Sequence, residues 1–400
     1  MGISTKINGY IGQSSWIRKM FEEGVRLRKL YGAEQVFDFS LGNPNVEPPA
    51  LFREQLRRVI EEVRPGGHGY MPNAGYPETR KAVADYLRRV HGVPLVADQV
   101  IMTCGAGGGL NVVLKTLLDP GDEVLVPSPY FVEYGFYADN AGGRMVTVAT
   151  RADFSLDLEA MAAAISEKTK VILINSPNNP TGRVYNQATI DGLARIIGEK
   201  SRTLGKSIYL VSDEPYSDIV YDGVTVPSVL KACASSIVVS SYSKSLSLPG
   251  ERIGYLAFNP QLPDLADVIS GAILCNRILG FVNAPALMQR VIAGLQGVTV
   301  DIGEYQRKRD LLCKGLEGQG YTFARPEGAF YLFVQSPIAD DVEFVQALQK
   351  KRILTVPGRG FGGPGYFRIA YCVDDATIIN AMAGFGEAIR ESGSKRTPHC

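Results

Sequence analysis

Short apolar runs alternate with helical patterns between about residues 100 and 258, and this alternation restricts the fold more than any other feature of the chain. It predicts an α/β fold with a doubly wound, mostly parallel sheet, whose ligand binds at the carboxyl ends of the strands. Residues 254–259 are expected to add a further strand, for which an antiparallel direction is an option. The other predicted strands begin near residues 100, 123, 144, 170, 207 and 237.

The chain is long enough for two structural units, because 400 residues exceed what one small core usually accommodates. Helices and strands of a different, α+β pattern follow residue 290. We therefore expect a large ligand-binding domain over residues 46–288 and a smaller domain built from residues 1–45 and 289–400.

An amphipathic helix is predicted over residues 13–31, near the start of the smaller domain. Ile17, Met20, Phe21, Val25 and Leu27 lie on the face that is expected to pack against the protein.

The balance of charge argues against a partner that is held by charge alone. Lysine and arginine number 42 and aspartate and glutamate 41, so no basic excess is left to neutralise nucleic-acid phosphates. No apolar stretch approaches the roughly 18 residues of a membrane-spanning helix, and the first residues lack an apolar signal core. We expect a cytoplasmic protein that binds neither nucleic acid nor membrane.

Metal and redox motifs are not found in the sequence. The six cysteines are scattered without a C-x-x-C pair, and three histidines do not complete a zinc-ligand spacing. We expect free thiols and no metal, so the chemistry must come from side chains or an organic cofactor.

Lys244 follows the apolar run Ile237–Val239, at the point where a buried strand is expected to end. Removal of water disfavours the ammonium ion, so an amine in this position can act as a nucleophile. The hydroxyls of Ser241 and Ser243 and the guanidinium of Arg252 suit a phosphate ester. The alternative is an ordinary surface lysine in a serine-rich loop.

Three motifs occur in a fixed order along the chain: N-P-T-G from Asn179, D-E-x-Y from Asp213 to Tyr216, and S-x-S-K-x-x-x-x-P-G-x-R-x-G around Lys244. The last resembles the pyridoxal-phosphate attachment site of the class I and II aminotransferases, in the fold-type-I superfamily that includes aspartate aminotransferase. Together with a Y-x-x-x-x-G-x-P-x-x-R segment from Tyr70, the resemblance covers nearly the whole chain. It implies a sheet of the seven-stranded type and a smaller α+β domain.

The resemblance also implies the roles of the residues around the cofactor. Lys244 would bond to pyridoxal 5'-phosphate covalently, Asp213 would keep its ring nitrogen protonated, and Asn179 and Tyr216 would bond its phenolate oxygen. Tyr130 would pack against the ring. The phosphate would be held by Ser241, Ser243, Arg252 and the backbone of Ala106 and Gly107.

The Ala106 and Gly107 turn lies in a strand, glycine loop and helix, an arrangement that points backbone N–H groups at a phosphate. A dinucleotide-binding G-x-G-x-x-G pattern counted from Gly105 fails, because its last position falls on Leu110. A nicotinamide-dependent oxidoreductase is therefore a weak alternative.

Substrate contacts and assembly are implied in the same way. Arg368, a lone arginine in an apolar strand, would grip the substrate carboxylate, near Gly42 and Asn179; the alternative is a structural ion pair. Tyr70 would reach the phosphate in a neighbouring subunit, which implies a homodimer.

The expected reaction is transfer of an amino group between an L-amino acid and a 2-oxo acid by a ping-pong mechanism. A lyase or synthase on the same scaffold stays open, since such enzymes share the lysine, aspartate and arginines. A non-catalytic regulator is less favoured, because the family pattern begins within the first 45 residues and leaves no DNA-binding segment ahead of it. The substrate is also open: Arg277 is a candidate for a side-chain carboxylate, and Gly107 stands where some subgroups carry a lysine.

Overall fold

The computed structural model describes residues 2–12, 16–62 and 65–394. Within them the helices and strands alternate through the middle of the chain, as the sequence predicts. The strands are β1 (Phe37–Asp38), β2 (Val100–Thr103), β3 (Glu123–Ser128), β4 (Arg144–Ala149), β5 (Thr169–Asn175), β6 (Tyr209–Asp213), β7 (Ser236–Ser241), β8 (Gly254–Phe258), β9 (Tyr331–Gln335), β10 (Ile353–Leu354), β11 (Val356–Pro357) and β12 (Tyr366–Ala370).

The α-helices lie between these strands and at both ends of the described chain. They are α1 (Thr5–Gly12), α2 (Trp16–Tyr31), α3 (Ala50–Glu62), α4 (Pro77–His91), α5 (Gly105–Leu117), α6 (Tyr134–Asn140), α7 (Leu158–Ala164), α8 (Gln187–Leu204), α9 (Val229–Ala232), α10 (Tyr242–Ser245), α11 (Leu265–Ile278), α12 (Ala286–Ala293), α13 (Ile302–Gly318), α14 (Asp341–Lys350) and α15 (Asp375–Ser394).

The main sheet has seven strands in the order β2-β8-β7-β6-β5-β3-β4. All its neighbouring pairs are parallel except those of β8, which runs antiparallel to both β2 and β7. This confirms the predicted fold class, including the antiparallel option for residues 254–258. Because β5, β6 and β7 are parallel neighbours, their carboxyl ends meet at one edge of the sheet.

Successive residues of the central strands face opposite layers of helices. In β5, Val171 and Leu173 pack in the core that contains residues of α5, α6 and α11. Ile172 and Ile174 pack in the core that contains residues of α4, α8 and α12. Burial on both faces explains why this strand is a continuous apolar run rather than an alternating one.

The smaller unit contains the antiparallel sheet β11-β12-β9, covered by α13, α14 and α15. The N-terminal segment belongs to it, since β1 pairs with β10 and Met20 and Phe39 share its core. Tyr216 and Ile219, from the large unit, also enter that core. The boundaries at residues 45/46 and 288/289 stay a prediction.

Helix α2 confirms part of the predicted packing face and corrects the rest. The predicted start at residues 13–15 and the side chain of Ile17 lie outside the described residues. Met20 and Leu27 are buried, whereas Phe21 is 46% exposed and Val25 40% exposed. Gly24 lies on the packed side, close to Asp38, so the buried stripe runs through a glycine that a hydrophobicity pattern overlooks.

Gly254 begins β8 at a position where the backbones of neighbouring segments almost touch. A Cβ added there would lie 2.5 Å from the Ser240 carbonyl oxygen and 2.8 Å from the Gly105 carbonyl carbon. We expect Gly254→Ala to destabilise the protein by about 1–3 kcal/mol, the usual cost of overpacking. The measurement is the urea midpoint of the far-ultraviolet circular dichroism signal.

Gly250→Ala is the matched control, because a Cβ at Gly250 would meet nothing within 4 Å. Equal midpoints for the two variants would contradict the close approach of backbones at Gly254.

Candidate active site

A cavity of about 870 Å³ lies over the carboxyl ends of β5, β6 and β7. The first turn of α5, the segment after β7 and residues of the smaller unit enclose it, and α1 and α2 contribute part of its wall. Most residues selected from the sequence line this one cavity. They are Gly42, Ala106, Gly107, Asn179, Asp213, Tyr216, Ser241, Ser243, Lys244, Arg252 and Arg368.

Lys244 projects into the cavity from α10, directly after β7. Its Nζ donates a hydrogen bond to the Gly42 carbonyl oxygen at 2.9 Å and lies 5.4 Å from the centre of the Phe330 ring. Burial lowers the pKa of Lys244 to about 8, and the positive charges of Arg368 and Arg252 act in the same direction. A neutral, nucleophilic amine is therefore accessible near neutral pH.

Gly42 has no room for a side chain. A Cβ at this position would lie 1.9 Å from the hydroxyl oxygen of Tyr331. The absence of a side chain lets the backbone of the N-terminal loop and the Tyr331 ring occupy the same wall of the cavity.

Asp213 ends β6 in a buried position. Its Oδ2 accepts a hydrogen bond from the Tyr134 hydroxyl at 2.6 Å, whereas Oδ1 has no hydrogen-bond partner among the described residues. Burial raises the pKa of Asp213 to about 7, and the Tyr134 hydrogen bond opposes that rise. A buried carboxylate with a free oxygen fits a cationic N–H group, such as a protonated pyridine nitrogen.

Asn179 and Tyr216 come from the ends of neighbouring strands, β5 and β6. The Asn179 backbone N–H donates to the Asn175 side chain at 2.7 Å, which holds the turn in place. The Tyr216 hydroxyl lies 2.9 Å from that of Tyr331, and burial raises the pKa of Tyr216 well above its ordinary value. The phenol therefore stays protonated and can donate to an anionic oxygen.

Arg368 lies on β12 and is 2% exposed. Its guanidinium carbon lies 4.6 Å from the centre of the Tyr331 ring and 4.7 Å from the centre of the Phe361 ring. It donates to Asn179 Oδ1 at 3.0 Å and to the Ser40 carbonyl oxygen at 2.6 Å, while its Nε has no partner among the described residues.

No carboxylate of the described residues forms an ion pair with Arg368, so the alternative of a structural ion pair is wrong. Burial lowers its pKa from the ordinary arginine value. A buried guanidinium without a counter-ion fits a carboxylate supplied by a ligand.

The first turn of α5 also lines the cavity. Four N–H groups of such a turn have no partner within the helix, and they attract an anion. Gly105, at φ +72°, begins the helix, and a Cβ there would lie 2.9 Å from a guanidinium nitrogen of Arg252. Ser241 and Ser243 are buried beside it. Together these groups suit a phosphate.

Tyr130 does not line the cavity; Phe131, the next residue, does. A side chain at Gly362 would clash with the Tyr130 ring, and the Tyr130 N–H donates to the Phe361 carbonyl oxygen at 2.9 Å. Phe131 packs edge-on against Tyr134 at 5.5 Å. Two adjacent aromatic residues point in different directions here, which the sequence alone does not resolve.

Tyr70 and Arg277 also lie outside this cavity. Tyr70 is 94% exposed, on a loop that Asn283 anchors through the Met71 and Pro72 carbonyl oxygens. Arg277 is exposed on α11. The reach of Tyr70 into a second subunit stays a prediction.

Three parts of the site escape sequence reasoning: Tyr134, Tyr331 and helix α1. Tyr134 reaches Asp213 across 79 positions of sequence, and Tyr331 meets Tyr216 across 115. Two features of the sequence could have indicated these tyrosines. One is the group of tyrosines after β3, and the other is the P-E-G-A-F-Y segment that leads into β9.

Comparison with known proteins identifies the family. The model of aminotransferase class I and II matches residues 34–385. The chain belongs to the class I and II aminotransferases. It is therefore a transferase of the pyridoxal-phosphate-dependent fold-type-I family, which moves an amino group between an amino acid and a 2-oxo acid.

Individual relatives agree with this assignment. A probable aspartate aminotransferase from Methanocaldococcus jannaschii is 34% identical over 86% of this chain and 91% of its own length. An aspartate/prephenate aminotransferase from Thermus thermophilus is 34% identical over 87% of this chain and 89% of its own. The structure of an amino transferase from Eubacterium rectale is 38% identical, with a TM-score of 0.94 over 98% of this chain and 99% of that one.

These similarities do not favour the lyase, synthase or non-catalytic alternatives. Among the described residues, no cluster of three or more histidine, cysteine, aspartate or glutamate side chains is suited to a metal ion. None of the described helices is both long and apolar enough to span a membrane.

The pKa of Lys244 gives a test of the site. The protonated amine does not react with aldehydes, so in the apoenzyme the rate of Lys244 modification by pyridoxal phosphate should rise with pH, with a midpoint near 8. A lysine in water has a pKa of about 10.4. Borohydride quenching at timed intervals between pH 6 and 10, followed by peptide mass spectrometry, gives the rate. A midpoint near 10 would contradict the burial of the amine.

Proposed function

We propose that Lys244 holds pyridoxal phosphate covalently in this cavity and that Arg368 binds the substrate carboxylate beside it. One observation carries the proposal: the buried Asp213 and Arg368 and the partly buried Lys244 line one cavity, and none forms an ion pair with another described residue. Unpaired buried charges are destabilising. Pyridoxal phosphate and an amino acid together supply the missing opposite charges.

The cofactor supplies, when bound, an aldehyde that takes up the amino group and a ring that accepts the electron pair left by the departing Cα proton. Asp213 would face the ring nitrogen with its free Oδ1 and keep it protonated, held in orientation by Tyr134. Asn179 and Tyr216 would donate to the phenolate oxygen. Phe131, rather than Tyr130, would pack against the ring.

The phosphate would lie at the first turn of α5, against the backbone of Ala106 and Gly107. Ser241 and Ser243 would donate hydroxyl hydrogen bonds and Arg252 a charge-assisted bond. These groups are distinct from Arg368, so the phosphate and the substrate carboxylate would each have an arginine of their own.

Arg368 would hold the substrate carboxylate and thereby place the Cα–H bond beside Lys244. The Lys244 amine, freed when the amino acid takes its place, would accept the Cα proton and return it one atom away. The Gly42 carbonyl, which binds Nζ at 2.9 Å, limits the positions that the amine can adopt. The first product leaves before the second substrate binds, so the kinetics are ping-pong.

We further propose a homodimer in which Tyr70 reaches the phosphate of the neighbouring subunit. Its 94% exposure on an anchored loop supports this role. A cytoplasmic location stays a prediction. The substrates are an amino acid and a 2-oxo acid, and two of the relatives named above carry aspartate or prephenate in their names.

A single-turnover experiment tests amino transfer directly. Holoenzyme mixed with an amino acid, without an acceptor, should release one equivalent of 2-oxo acid per active site and no ammonia. Addition of a different 2-oxo acid should then yield its amino acid. Continuous release of ammonia would instead assign an elimination reaction.

Arg368→Lys should lower kcat/KM by about two orders of magnitude or more. Lysine lacks the planar fork, and each of the two charge-assisted bonds contributes roughly 1.5–3 kcal/mol, at about 1.4 kcal/mol per tenfold. Cofactor affinity should change little. Steady-state kinetics and cofactor titration measure the two effects separately.

Arg252→Lys is the companion variant, and it should weaken cofactor binding first. If Arg368→Lys lost the cofactor while KM for the amino acid was preserved, the roles of the two arginines would be reversed.

A further inference from the structure

We infer that the amino donor carries an uncharged, apolar side chain of leucine, methionine or phenylalanine type, bound between α1, α2 and α6. This inference rests on the proposed function and names the substrate class of the same site. It follows from the composition of the cavity wall that is left once the cofactor and carboxylate groups are assigned.

Helix α1 presents three residues to the cavity: Ile7, Tyr10 and Ile11. Their i, i+3, i+4 spacing places them on one face of the helix. The Tyr10 hydroxyl and Lys6 ammonium bind Asp139 on α6, and the Tyr10 ring packs edge-on against Phe136 at 4.8 Å. These contacts hold the apolar face of α1 over the site.

The wall continues on three other segments. Phe21 of α2, Leu41 beside Gly42 and Phe136 of α6 line the same cavity. Phe21 is 46% exposed and Leu41 43% exposed, and Ile7 and Ile11 reach 48% and 58%. A bound apolar side chain would remove part of this surface from water, which favours binding.

Among the described residues, no cation on this wall is left to bind a second carboxylate, as in aspartate. The described cations that line the cavity are Lys244, Arg252 and Arg368, and the proposed function assigns all three. Gly107 offers no side chain, and Arg277 lies outside the cavity.

Among the described residues, Glu133 and Asp213 are the acidic side chains that line the cavity, and Asp213 is assigned to the cofactor. Glu133 is partly buried, and burial raises its pKa. A negatively charged substrate group near it would be repelled when Glu133 is ionised and would gain no partner when it is neutral. A cationic side chain could form an ion pair with Glu133 but would lie against an apolar wall.

Non-reacting analogues separate these substrate classes by binding alone. 4-Methylpentanoate, succinate and 6-aminohexanoate correspond to leucine, aspartate and lysine without the α-amino group. Calorimetric titration of the holoenzyme should give at least about tenfold tighter binding of 4-methylpentanoate than of either other acid, and leucine should outpace aspartate by a similar factor in the single-turnover reaction.

Ile7→Arg tests the wall itself, with Ile3→Arg as the matched control. Both isoleucines are 48% exposed, but Ile3 does not line the cavity. Ile7→Arg should shift the succinate to 4-methylpentanoate affinity ratio toward succinate by about tenfold or more. Ile3→Arg should leave the ratio unchanged.

Two results would overturn the inference. In the first, succinate binds most tightly and Arg277→Gln removes that affinity. This result would show that Arg277, which does not line the cavity, binds a second carboxylate. Tightest binding of 6-aminohexanoate would assign a cationic donor through Glu133. The proposed function fails on a different result, namely no 2-oxo acid from any amino acid, and the analogue affinities are measured independently of turnover.

Discussion

The hydrogen bond from Lys244 Nζ to the Gly42 carbonyl oxygen is the contact on which the rest of the site depends. It joins the end of a central strand of the large sheet to the N-terminal loop of the smaller unit. The Tyr331 hydroxyl lies where a side chain at residue 42 would be, so the loop, the lysine and the smaller sheet meet at one point. That meeting buries the amine and lowers its pKa to about 8.

The same burial leaves polar groups without partners inside the protein. Asp213 Oδ1 and Arg368 Nε have no hydrogen-bond partner among the described residues. Such atoms are costly in a folded chain, and clusters of them mark places where a ligand completes the structure. Both residues line the cavity of Lys244, so ligand binding there can offset the cost of these unpaired atoms.

Much of the fold was predictable from sequence, because the central strands are buried on both faces and therefore consist of uninterrupted apolar runs. Lys244 and Asp213 were predictable for a related reason: each ends a strand or follows one closely, and parallel neighbours bring those ends together. Asn179 was predictable from the N-P-T-G motif and the family resemblance. Tyr134 and Tyr331 were not, since their positions depend on contacts between distant segments. Phe131 and Tyr130 differ only in direction, which the packing of α6 and the Gly362 loop decides.

Helix α1 illustrates a further limit of the sequence. Its Ile7 and Ile11 show a helical spacing, but the surface they cover is a cavity wall and not a core, and no local pattern distinguishes the two. The substrate preference therefore follows from tertiary structure, whereas the chemistry follows from motifs.

The central claim is that Lys244 alone bonds to the cofactor. Borohydride reduction of the holoenzyme, followed by proteolysis and mass spectrometry, measures this directly. The account predicts one pyridoxyl-modified peptide that contains Lys244, and none in Lys244→Ala. Stoichiometric modification of a different lysine, or an unmodified Lys244 in fully active enzyme, would contradict it.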